Sequence, residues 1–384
     1  MHFSLTDEEE MIRDSARRIA AEKIAPLAEK LDRGEGRAEF LANLKLLAES
    51  GFMALNVGAE FGGTEAGTVA FALAIEELGY ACAATGVTAS VTNMVGEVIQ
   101  AVGSDMQKHM HLPKLADGTY PAGAFCLTES GAGSDPSNMK TKARRDGDDW
   151  IIDGEKLYIT SAEYAGVFVV WAVTDPAAPK GKGISCFLVT SDAPGLIIGK
   201  AEKKMGQTGS ATNIVRFDQC RVSASSLMGR ENDGFRIAVG ELAGGRIGIA
   251  SLSLGIARAA MDAAKAYAKE RKQFGQSIAD FQGLQWMLAD RETELEAARL
   301  LILQAAHQKD QKLPFGKAAS MAKLYASEAA HRATDTAIQI HGGAGYVRDY
   351  PVERYARDAR ITRIYEGTSE IQRLVIAREI LRQG

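Results

Sequence analysis

The sequence has few of the residues that build metal clusters and disulfide frameworks. Its 384 residues include only four cysteines, Cys82, Cys126, Cys186 and Cys220, and no two of them form a C-x-x-C pair. Cysteine-ligated zinc sites and disulfide-rich domains both depend on close cysteine spacings. We therefore expect neither a disulfide framework nor a bound metal.

A strong excess of one charge and long hydrophobic runs are also lacking. The 45 lysines and arginines against 49 acidic residues leave a formal net charge of -4, which argues against a nucleic-acid partner. No apolar run reaches the roughly 18–20 residues of a membrane-spanning helix, and the acidic start MHFSLTDEEE lacks the apolar core of a secretory signal. These features predict a soluble protein without membrane insertion. We expect it in the cytoplasm, or in the mitochondrial matrix if this is a mature eukaryotic chain.

Three common motifs of nucleotide and metal enzymes do not occur either. The sequence has no complete G-x-G-x-x-G after a first strand, no G-x-x-x-x-G-K-[ST] and no H-E-x-x-H. A Rossmann fold alternates strand and helix, whereas the strand and helix patterns of this chain do not alternate. Nicotinamide-dependent, P-loop and zincin functions are therefore excluded.

What is present is an ordinary globular composition with 46% apolar residues, in a length that suggests two or three domains. The first part of the chain is helical in pattern, because alanine, leucine and methionine recur there every three or four positions. Thr6 and Glu9 form a capping box that begins a helix extending to about Leu31. Further helices are predicted at Ala38–Ser50, Ala70–Leu78, Val87–Val102 and Asp105–Ala116.

The pattern changes at about Tyr120 to short runs of branched and aromatic residues, and returns to helix after Gly234. Asp153–Gly154 is the strongest hairpin turn in the sequence. Strands are predicted at Ala124–Thr128, Trp150–Ile152, Lys156–Thr160, Val167–Thr174, Ile184–Thr190 and Asn213–Phe217. The later helices are predicted at Phe235–Glu270, Phe281–Lys309, Gly316–Ile340 and Ser369–Leu381.

Two segments in the strand region combine glycine or aromatic residues with hydroxyls. AFCLTESGAGSD, at 124–135, leads from a strand into a glycine turn, where backbone N–H groups and the Thr128 and Ser134 hydroxyls could bind an anion. A plain surface loop explains the same composition equally well. In LYITSA, at 157–162, Tyr158 could stack on a planar ring beside a Thr160 donor, although alone this is typical of an ordinary strand.

Two further segments lie at the ends of long helices. RKQFG, at 271–275, offers Arg271 as a bidentate phosphate ligand, but cations and a glycine are also the usual end of a helix. QIHGGAGY, at 339–346, has free backbone N–H groups that could reach a ligand, and a simple helix cap explains its glycines about as well.

The fifth segment, RIYEGTSEIQR at 363–373, places Glu366 just before a glycine and the start of the last helix, which begins at Thr368. A carboxylate there can be a charge that interacts with the helix N-terminus. It can also be a general base whose pKa is raised in an apolar cleft.

Together, in this order and spacing, the five segments resemble the acyl-CoA dehydrogenase family of flavoproteins. The resemblance extends over essentially the whole chain and includes EELGYACAATGV near Glu76 and GGRIGIA at Gly244. It implies an α+β fold with an N-terminal helical domain (1–122), a middle β-sheet domain (123–233) and a C-terminal four-helix bundle (234–384). Members of the family usually assemble as homotetramers, so a homo-oligomer is expected.

The resemblance implies FAD as the cofactor. Arg271, Phe274, Gln282 and the stretch 339–343 match residues that reach the FAD of a neighbouring subunit. The family usually has Trp at the position of Tyr158, and the aromatic face is retained here. The residues assigned to the cofactor are Phe125, Leu127, Thr128, Gly133, Ser134, Tyr158, Ile159, Thr160, Arg271, Phe274, Gln282, Gln339, His341, Gly342, Gly343, Thr368 and Glu370.

Glu366 matches the catalytic base of the family. This implies that its carboxylate removes the α-proton of an acyl-CoA while a β-hydride passes to flavin N5, which gives the trans-2-enoyl-CoA. The Glu366 N–H and a flavin ribityl hydroxyl would polarise the thioester. Some members place the base one residue before Arg246, where this chain has Gly245, and many have Asp at the position of Ala243. Acyl-CoA contacts are assigned to Ser134, Arg246 and Gly367.

GVTASVTNM at 86–94 and FQGLQWMLAD at 281–290 are similar to short-chain and isobutyryl-type members. They imply a saturated C4–C5 acyl-CoA substrate, straight or branched, with an electron-transfer flavoprotein as electron acceptor. Three alternatives remain. The first is an acyl-CoA oxidase, although oxidase chains are typically longer, and the second is another acyl-CoA flavoprotein of the superfamily, which usually lacks the glutamate base. The third is a non-catalytic acyl-CoA or flavin-binding protein, which would not need Glu366.

Overall fold

A computed structural model describes residues 4–382 of the chain. Helices fill the N-terminal part, strands the middle and helices the C-terminal part, so the expected α–β–α order and fold class are confirmed. The N-terminal helices are α1 (Asp7–Ile19), α2 (Ala28–Asp32), α3 (Arg37–Glu49), α4 (Gly67–Ala81), α5 (Ala83–Val102) and α6 (Asp105–Ala116).

The capping box at the start of α1 is confirmed. The Thr6 hydroxyl accepts a hydrogen bond from the Glu9 N–H at 3.2 Å, and the Glu9 carboxylate accepts one from the Thr6 N–H at 2.7 Å. The predicted helix to about Leu31 is helical without a break as far as Asp32, but it is not one α-helix throughout. The α-helix widens into a π turn and then tightens into a 3₁₀ turn before α2, because Pro26 cannot donate a backbone hydrogen bond.

The middle part forms one mixed eight-stranded sheet. The strands follow the order β6-β7-β3-β2-β4-β5-β8, and β1 pairs in parallel with β4. They are β1 (Ala122–Cys126), β2 (Lys142–Asp146), β3 (Asp149–Thr160), β4 (Ala165–Val173), β5 (Ile184–Thr190), β6 (Leu196–Ala201), β7 (Thr212–Ser223) and β8 (Leu227–Met228).

The predicted Asp153–Gly154 hairpin is wrong, because both residues lie inside the single long strand β3. Gly154 has φ +148°, and a Cβ there would lie 2.6 Å from the Cα of Thr141. The glycine therefore serves a β-bulge with a close backbone approach, not a turn. The hairpin lies six residues earlier, where Gly147 (φ +63°) and Asp148 connect β2 to β3.

The strands β2 and β6 and one helix are among the elements that were not predicted from the sequence. β2 has the sequence KARRD and buries only Ala143, so it shows no apolar alternation. β6 is likewise only partly buried, and the helix α10 (Val352–Arg360) is strongly charged. In each case the buried residues are too few to give a periodic pattern.

The C-terminal part is a helical bundle built on two central helices, α7 (Gly234–Glu270) and α9 (Gly316–His341). The inner face of α9 is lined by fully buried alanines, which allow α7 to approach closely. Helices α8 (Gln282–Asp310) and α11 (Ser369–Arg382) pack against this pair, and the short hairpin β9–β10 (Lys272–Gln273 and Gln276–Ser277) follows α7.

Helix α7 is the one helix within residues 4–382 that is long and apolar enough to cross a membrane. Of its most apolar 18-residue window, 83% is buried by the rest of the protein. Burial of this kind is typical of the core helix of a bundle, since a helix that is apolar on all sides needs protein around it.

Candidate active site

The Glu366 segment forms a sharp turn between the end of α10 and the start of α11. Both Glu366 (φ +52°) and Gly367 (φ +89°) lie in the left-handed region, which is unfavourable for a residue with a side chain. The predicted helix start is confirmed, because the Thr368 hydroxyl accepts a hydrogen bond from the Ile371 N–H at 3.3 Å. The turn therefore exposes a short, irregular backbone stretch directly before a capped helix.

This turn directs the Glu366 carboxylate onto Gly245 of α7. A Cβ at Gly245 would lie 3.0 Å from Glu366 Oε2 and 2.7 Å from Met94 Sδ. The position one residue before Arg246 and the Glu366 carboxylate are therefore direct neighbours in space. Glu366 Oε2 is shut off from solvent and has no hydrogen-bond partner, although other atoms of the residue keep some exposure.

The pKa of Glu366 is raised to about 7 by burial, against the opposing charges of Arg246 and Lys323. Arg246 is 7% exposed and donates one hydrogen bond to the Ser320 hydroxyl at 3.1 Å, while its Nε has no partner. Burial lowers the pKa of Arg246. A carboxyl group that titrates near neutral pH, with a free oxygen, is suited to accept a proton.

Two side chains that the sequence did not indicate bind the backbone of the turn. Gln372 donates to the carbonyls of Glu366 (3.0 Å) and Gly367 (2.9 Å), and Lys323 Nζ donates to the Gly367 carbonyl at 2.7 Å. Gln207 from the middle part donates to the hydroxyl of Tyr365 at 3.2 Å. The Glu366 N–H itself has no acceptor within the described part of the chain, so it is available to a ligand.

A second group of candidate residues lies where the loop after β1 meets β3. The Leu157 N–H donates to the Thr128 carbonyl at 2.9 Å, which fixes the loop to the strand. Tyr158 follows at φ +58° with 66% of its surface exposed. Within residues 4–382, the hydroxyls of Thr128, Ser134, Tyr158 and Thr160 have no hydrogen-bond partner. These donors and the exposed ring suit a planar ligand with polar edges.

The loop is held in place by a buried ion pair that the sequence did not indicate. Lys156, which is fully buried, lies 2.8 Å from Glu129, which is 8% exposed. Glu129 also accepts the N–H groups of Lys140 (2.6 Å) and Thr141 (3.0 Å). Burial would raise the pKa of Glu129, but Lys156 and these donors keep it below its usual value.

The remaining residues of this group differ in which of their atoms are accessible to a ligand. Leu127 and Ile159 are buried in the hydrophobic cores on opposite faces of the sheet, so only their backbone groups are available to a ligand. Phe125 is half-buried against Trp171, with ring centroids 4.3 Å apart. Gly133 is exposed, and a Cβ there would meet no other atom.

Helix α5 connects this group to Glu366. Its Thr92 hydroxyl accepts a hydrogen bond from the N–H of Gly123 in β1 at 3.3 Å, and a Cβ on Gly123 would lie 2.6 Å from Val95. The nearby Met94 Sδ lies beside the same Cβ position of Gly245 that the Glu366 carboxylate approaches. One turn of α5 therefore separates the start of β1 from the carboxylate.

A third group lies at the far end of the bundle. Glu270, the last residue of α7, is 25 residues beyond Gly245, which is about 38 Å at the ~1.5 Å rise of a helix. There, His341 stacks on Tyr267 with ring centroids 4.3 Å apart, which brings the ends of α7 and α9 together. The exposed members of this group are Arg271, Phe274, Gln282, Gln339, Gly342 and Gly343.

His341 itself is only 4% exposed, and its Nδ1 pairs with the Ala337 carbonyl at 2.8 Å. Phe274 is the opposite case, with 94% of its surface exposed at φ +53°. Glu370 is exposed on the first turn of α11. One chain therefore brings Glu366, Gly367 and Arg246 together, but holds Arg271 and its neighbours at the distant end of α7.

Comparison with known proteins accounts for the entire chain. The family models described as acyl-CoA dehydrogenase N-terminal, middle and C-terminal domains match residues 6–119, 124–220 and 232–381. A probable acyl-CoA dehydrogenase of Bacillus subtilis is 46% identical over 384 residues, with both chains covered completely. The short-chain specific acyl-CoA dehydrogenase of Clostridium acetobutylicum is 42% identical, again with 100% of both chains covered. The structure of butyryl-CoA dehydrogenase from Megasphaera elsdenii covers 100% of both chains at a TM-score of 0.96 and 37% identity.

Proposed function

The chain belongs to the acyl-CoA dehydrogenase family, and from this we propose that it oxidises a short, saturated acyl-CoA to the trans-2-enoyl-CoA with Glu366 as the base. The protein is an oxidoreductase acting on acyl-CoA. The observation that carries the proposal is the Glu366 carboxylate, which lies against Gly245 with a buried oxygen that no protein group binds.

Proton removal is the step that this chain's own residues perform. The α-proton of a thioester is too weakly acidic for a carboxylate in water, so the carbonyl must be polarised and the base must be desolvated. Glu366 meets both needs: its N–H is free to donate to the thioester oxygen, and burial raises the pKa of its carboxyl to about 7. A base with that pKa is ionised in a large fraction of molecules at neutral pH and still takes up a proton readily.

The family is FAD-dependent, and a bound flavin would supply the acceptor for the hydride of the β-carbon. The unpartnered hydroxyls of Thr128, Ser134 and Thr160 and the exposed face of Tyr158 fit a flavin. We assign its ring system to these residues, with Phe125, Gly133 and the backbone of Leu127 and Ile159 beside them. Thr368 and Glu370, at the start of α11, complete the assignment within the same subunit, and Ser134, Arg246 and Gly367 are assigned to acyl-CoA.

The packing of α5 on α7 supports a short acyl chain. Gly248 lies one turn beyond Gly245, about 4.5 Å along α7, and the space for a Cβ there is filled by Ser90 Oγ at 2.3 Å and Phe71 at 3.1 Å. One turn further, Leu252 lies 2.6 Å from the Cβ position of Gly86. The gap between the two helices therefore closes soon after it passes the base.

We predict that anaerobic addition of saturated acyl-CoA bleaches the bound flavin, with the highest kcat/KM at C4–C5, because longer chains meet Ser90 and Phe71. The measurement is a stopped-flow series from C4 to C16.

Gly248→Ala should reduce kcat/KM even for C4–C5, because its methyl group overlaps Ser90. Gly240→Ala, on the same helix with nothing within 4 Å of its Cβ, is the matched control. A maximum at C12 or beyond would refute the assigned chain length, and no bleaching by any acyl-CoA would refute the function.

We also propose that the flavin site is completed by a second subunit of a homo-oligomer, most simply a tetramer. Arg271, Phe274, Gln282, Gln339, His341, Gly342 and Gly343 are assigned to the cofactor of the neighbouring subunit. Their distance of about 38 Å from Gly245 along α7 is difficult to reconcile with a site made by one chain. The exposed ring of Phe274 also leaves a large apolar surface that a partner would cover.

Arg271→Ala should therefore lower the FAD content of the purified protein without unfolding the chain, because Arg271 is exposed and helix α7 ends before it. The absorbance ratio of flavin to protein and the melting temperature measure these two effects. Lys269→Ala, which removes a similar charge from the last turn of α7, should retain full occupancy. Full FAD occupancy in a monomeric sample would contradict the shared site.

An electron-transfer flavoprotein is proposed as the electron acceptor from the family resemblance, and the cytoplasm is proposed as the location because bacterial proteins are among the relatives. An acyl-CoA oxidase would also bleach anaerobically but would then reoxidise rapidly in air. A non-catalytic acyl-CoA or flavin-binding protein would not bleach. The intact Glu366 argues against the non-catalytic protein, because such a protein does not need a desolvated base.

A further inference from the structure

Helix α9 carries a buried lysine beside the active-site turn. Lys323 has no solvent exposure, which is rare for lysine unless it is paired. It lies three residues after Ser320, the partner of Arg246, so both side chains project from the same face of α9. This face therefore contacts both Arg246 on α7 and the turn that contains Glu366.

The contact with the turn is a hydrogen bond to the backbone. Lys323 Nζ donates to the Gly367 carbonyl at 2.7 Å, and Gln372 donates to the same oxygen at 2.9 Å. The two donors act on a turn in which Glu366 has φ +52°. Such a conformation costs of the order of 1–3 kcal/mol and persists only where surrounding contacts hold it.

Of the carboxylates near Lys323, Glu366 is the one that is neither exposed to solvent on α11 nor bound by other side chains. Glu366 faces Arg246 from α7 and Lys323 from α9, next to the hydroxyl of the half-buried Tyr365. Lys323 faces Glu366, Arg246, Glu328 and Glu370. Glu370 lies on the exposed side of α11.

Glu328 is bound by two other groups, because it accepts hydrogen bonds from Arg363 at 3.0 Å and from Ser369 at 2.7 Å. Arg246, the other cation, is directed by its hydrogen bond to Ser320. Burial lowers the pKa of Lys323 to about 8, so it still carries a proton at neutral pH.

We propose that Lys323 is a positioning residue that fixes the Glu366–Gly367 turn and keeps the Glu366 carboxylate ionised near neutral pH. It acts through the base, since its Nζ is bound to the backbone of the turn. The inference rests on the proposed role of Glu366 and adds a second residue, from a different helix, to the control of that base.

The test is the pH dependence of kcat/KM for Lys323→Met, Lys323→Arg and the wild-type holoenzyme. Loss of a cation near a carboxylate raises its pKa by about one unit or more, so the acid limb of the Lys323→Met profile should move to higher pH by about that amount. At a pH below the wild-type limb, this corresponds to a loss of about tenfold or more. Lys323→Arg keeps the charge and should restore the position of the limb.

Lys204→Met is the matched control, because Lys204 is partly buried and its Nζ also donates to a backbone carbonyl, that of Ser210 at 2.6 Å. It should leave the acid limb in place. If Lys323→Met does not accumulate as folded protein, the same comparison uses Lys323→Gln, which is neutral but polar.

Glu366→Gln separates this inference from the proposed function. An active Glu366→Gln would overturn the assigned base and the inference with it. If Glu366→Gln is inactive but the acid limb of the neutral Lys323 variant coincides with that of the wild type, the positioning role of Lys323 is wrong and the proposed function remains. An acid limb that moves to higher pH in Lys323→Met and returns to the wild-type position in Lys323→Arg supports the positioning role of Lys323.

Discussion

Glu366→Gln should lower the rate of flavin reduction by at least 10²–10⁴-fold, the usual contribution of a general base. Glutamine has nearly the same shape, so the turn, FAD binding and acyl-CoA binding should persist, but it cannot accept the α-proton. The alternative position for a base on α7 is Gly245, which has no carboxylate to take its place. Stopped-flow reduction by a C4 acyl-CoA under anaerobic conditions measures the effect.

The melting temperature of the same variant distinguishes catalysis from stability. If Glu366 were only a charge near the N-terminus of α11, its loss would cost about 0.3–1 kcal/mol of stability and leave the rate nearly unchanged. The expected pattern is the reverse: a large kinetic loss, a retained melting temperature and a flavin spectrum that still responds to acyl-CoA. Flavin reduction at the wild-type rate would eliminate Glu366 as the base.

Lys156→Met should be strongly destabilising, by about 3–5 kcal/mol, because it leaves the buried Glu129 without its cation. Glu129 would keep only the N–H groups of Lys140 and Thr141 as partners. Since this carboxylate ties together the loop after β1 and the start of β2, FAD content should fall as well. Urea unfolding and the flavin-to-protein absorbance ratio measure the two consequences.

The double variant Glu129→Leu/Lys156→Met is the control. Replacement of a whole buried ion pair by apolar groups is often neutral or stabilising, so the double variant should regain most of the stability that the single variant loses. Its FAD content should stay low, because Leu cannot accept the two backbone N–H groups of the loop. A single variant that loses less than about 1 kcal/mol would show that the pair is unimportant for this loop.

The features that could be predicted from the sequence are those encoded locally. The capping box at Thr6 and the start of α11 at Thr368 depend on residues three positions apart, and the structure has both. The α–β–α order follows in the same way from periodicity within short windows. Glu366 could be singled out because it stands next to a glycine and a helix start.

The partners of Glu366 could not be predicted, because they come from distant parts of the chain. Lys323 lies 43 residues before the base and Met94 lies 272 residues before it, and neither has a local pattern that distinguishes it from an ordinary helical residue. The Asp153–Gly154 error has a related cause. The glycine is required by Thr141, just before the adjacent strand β2, and this contact appears only after the strands have paired.

The contact between Gly245 and Glu366 also restricts how this sequence can change over time. A side chain at 245 would occupy the volume that the Glu366 carboxylate and Met94 Sδ already fill, so the two alternative positions for a base compete for one space. A carboxylate introduced at 245 is incompatible with the present residues at 366 and 94, and the loss of Glu366 alone removes the base. Transfer of the base between this turn and α7 therefore has no neutral single-step path, and positions 94, 245 and 366 should show strong epistasis in a combinatorial library.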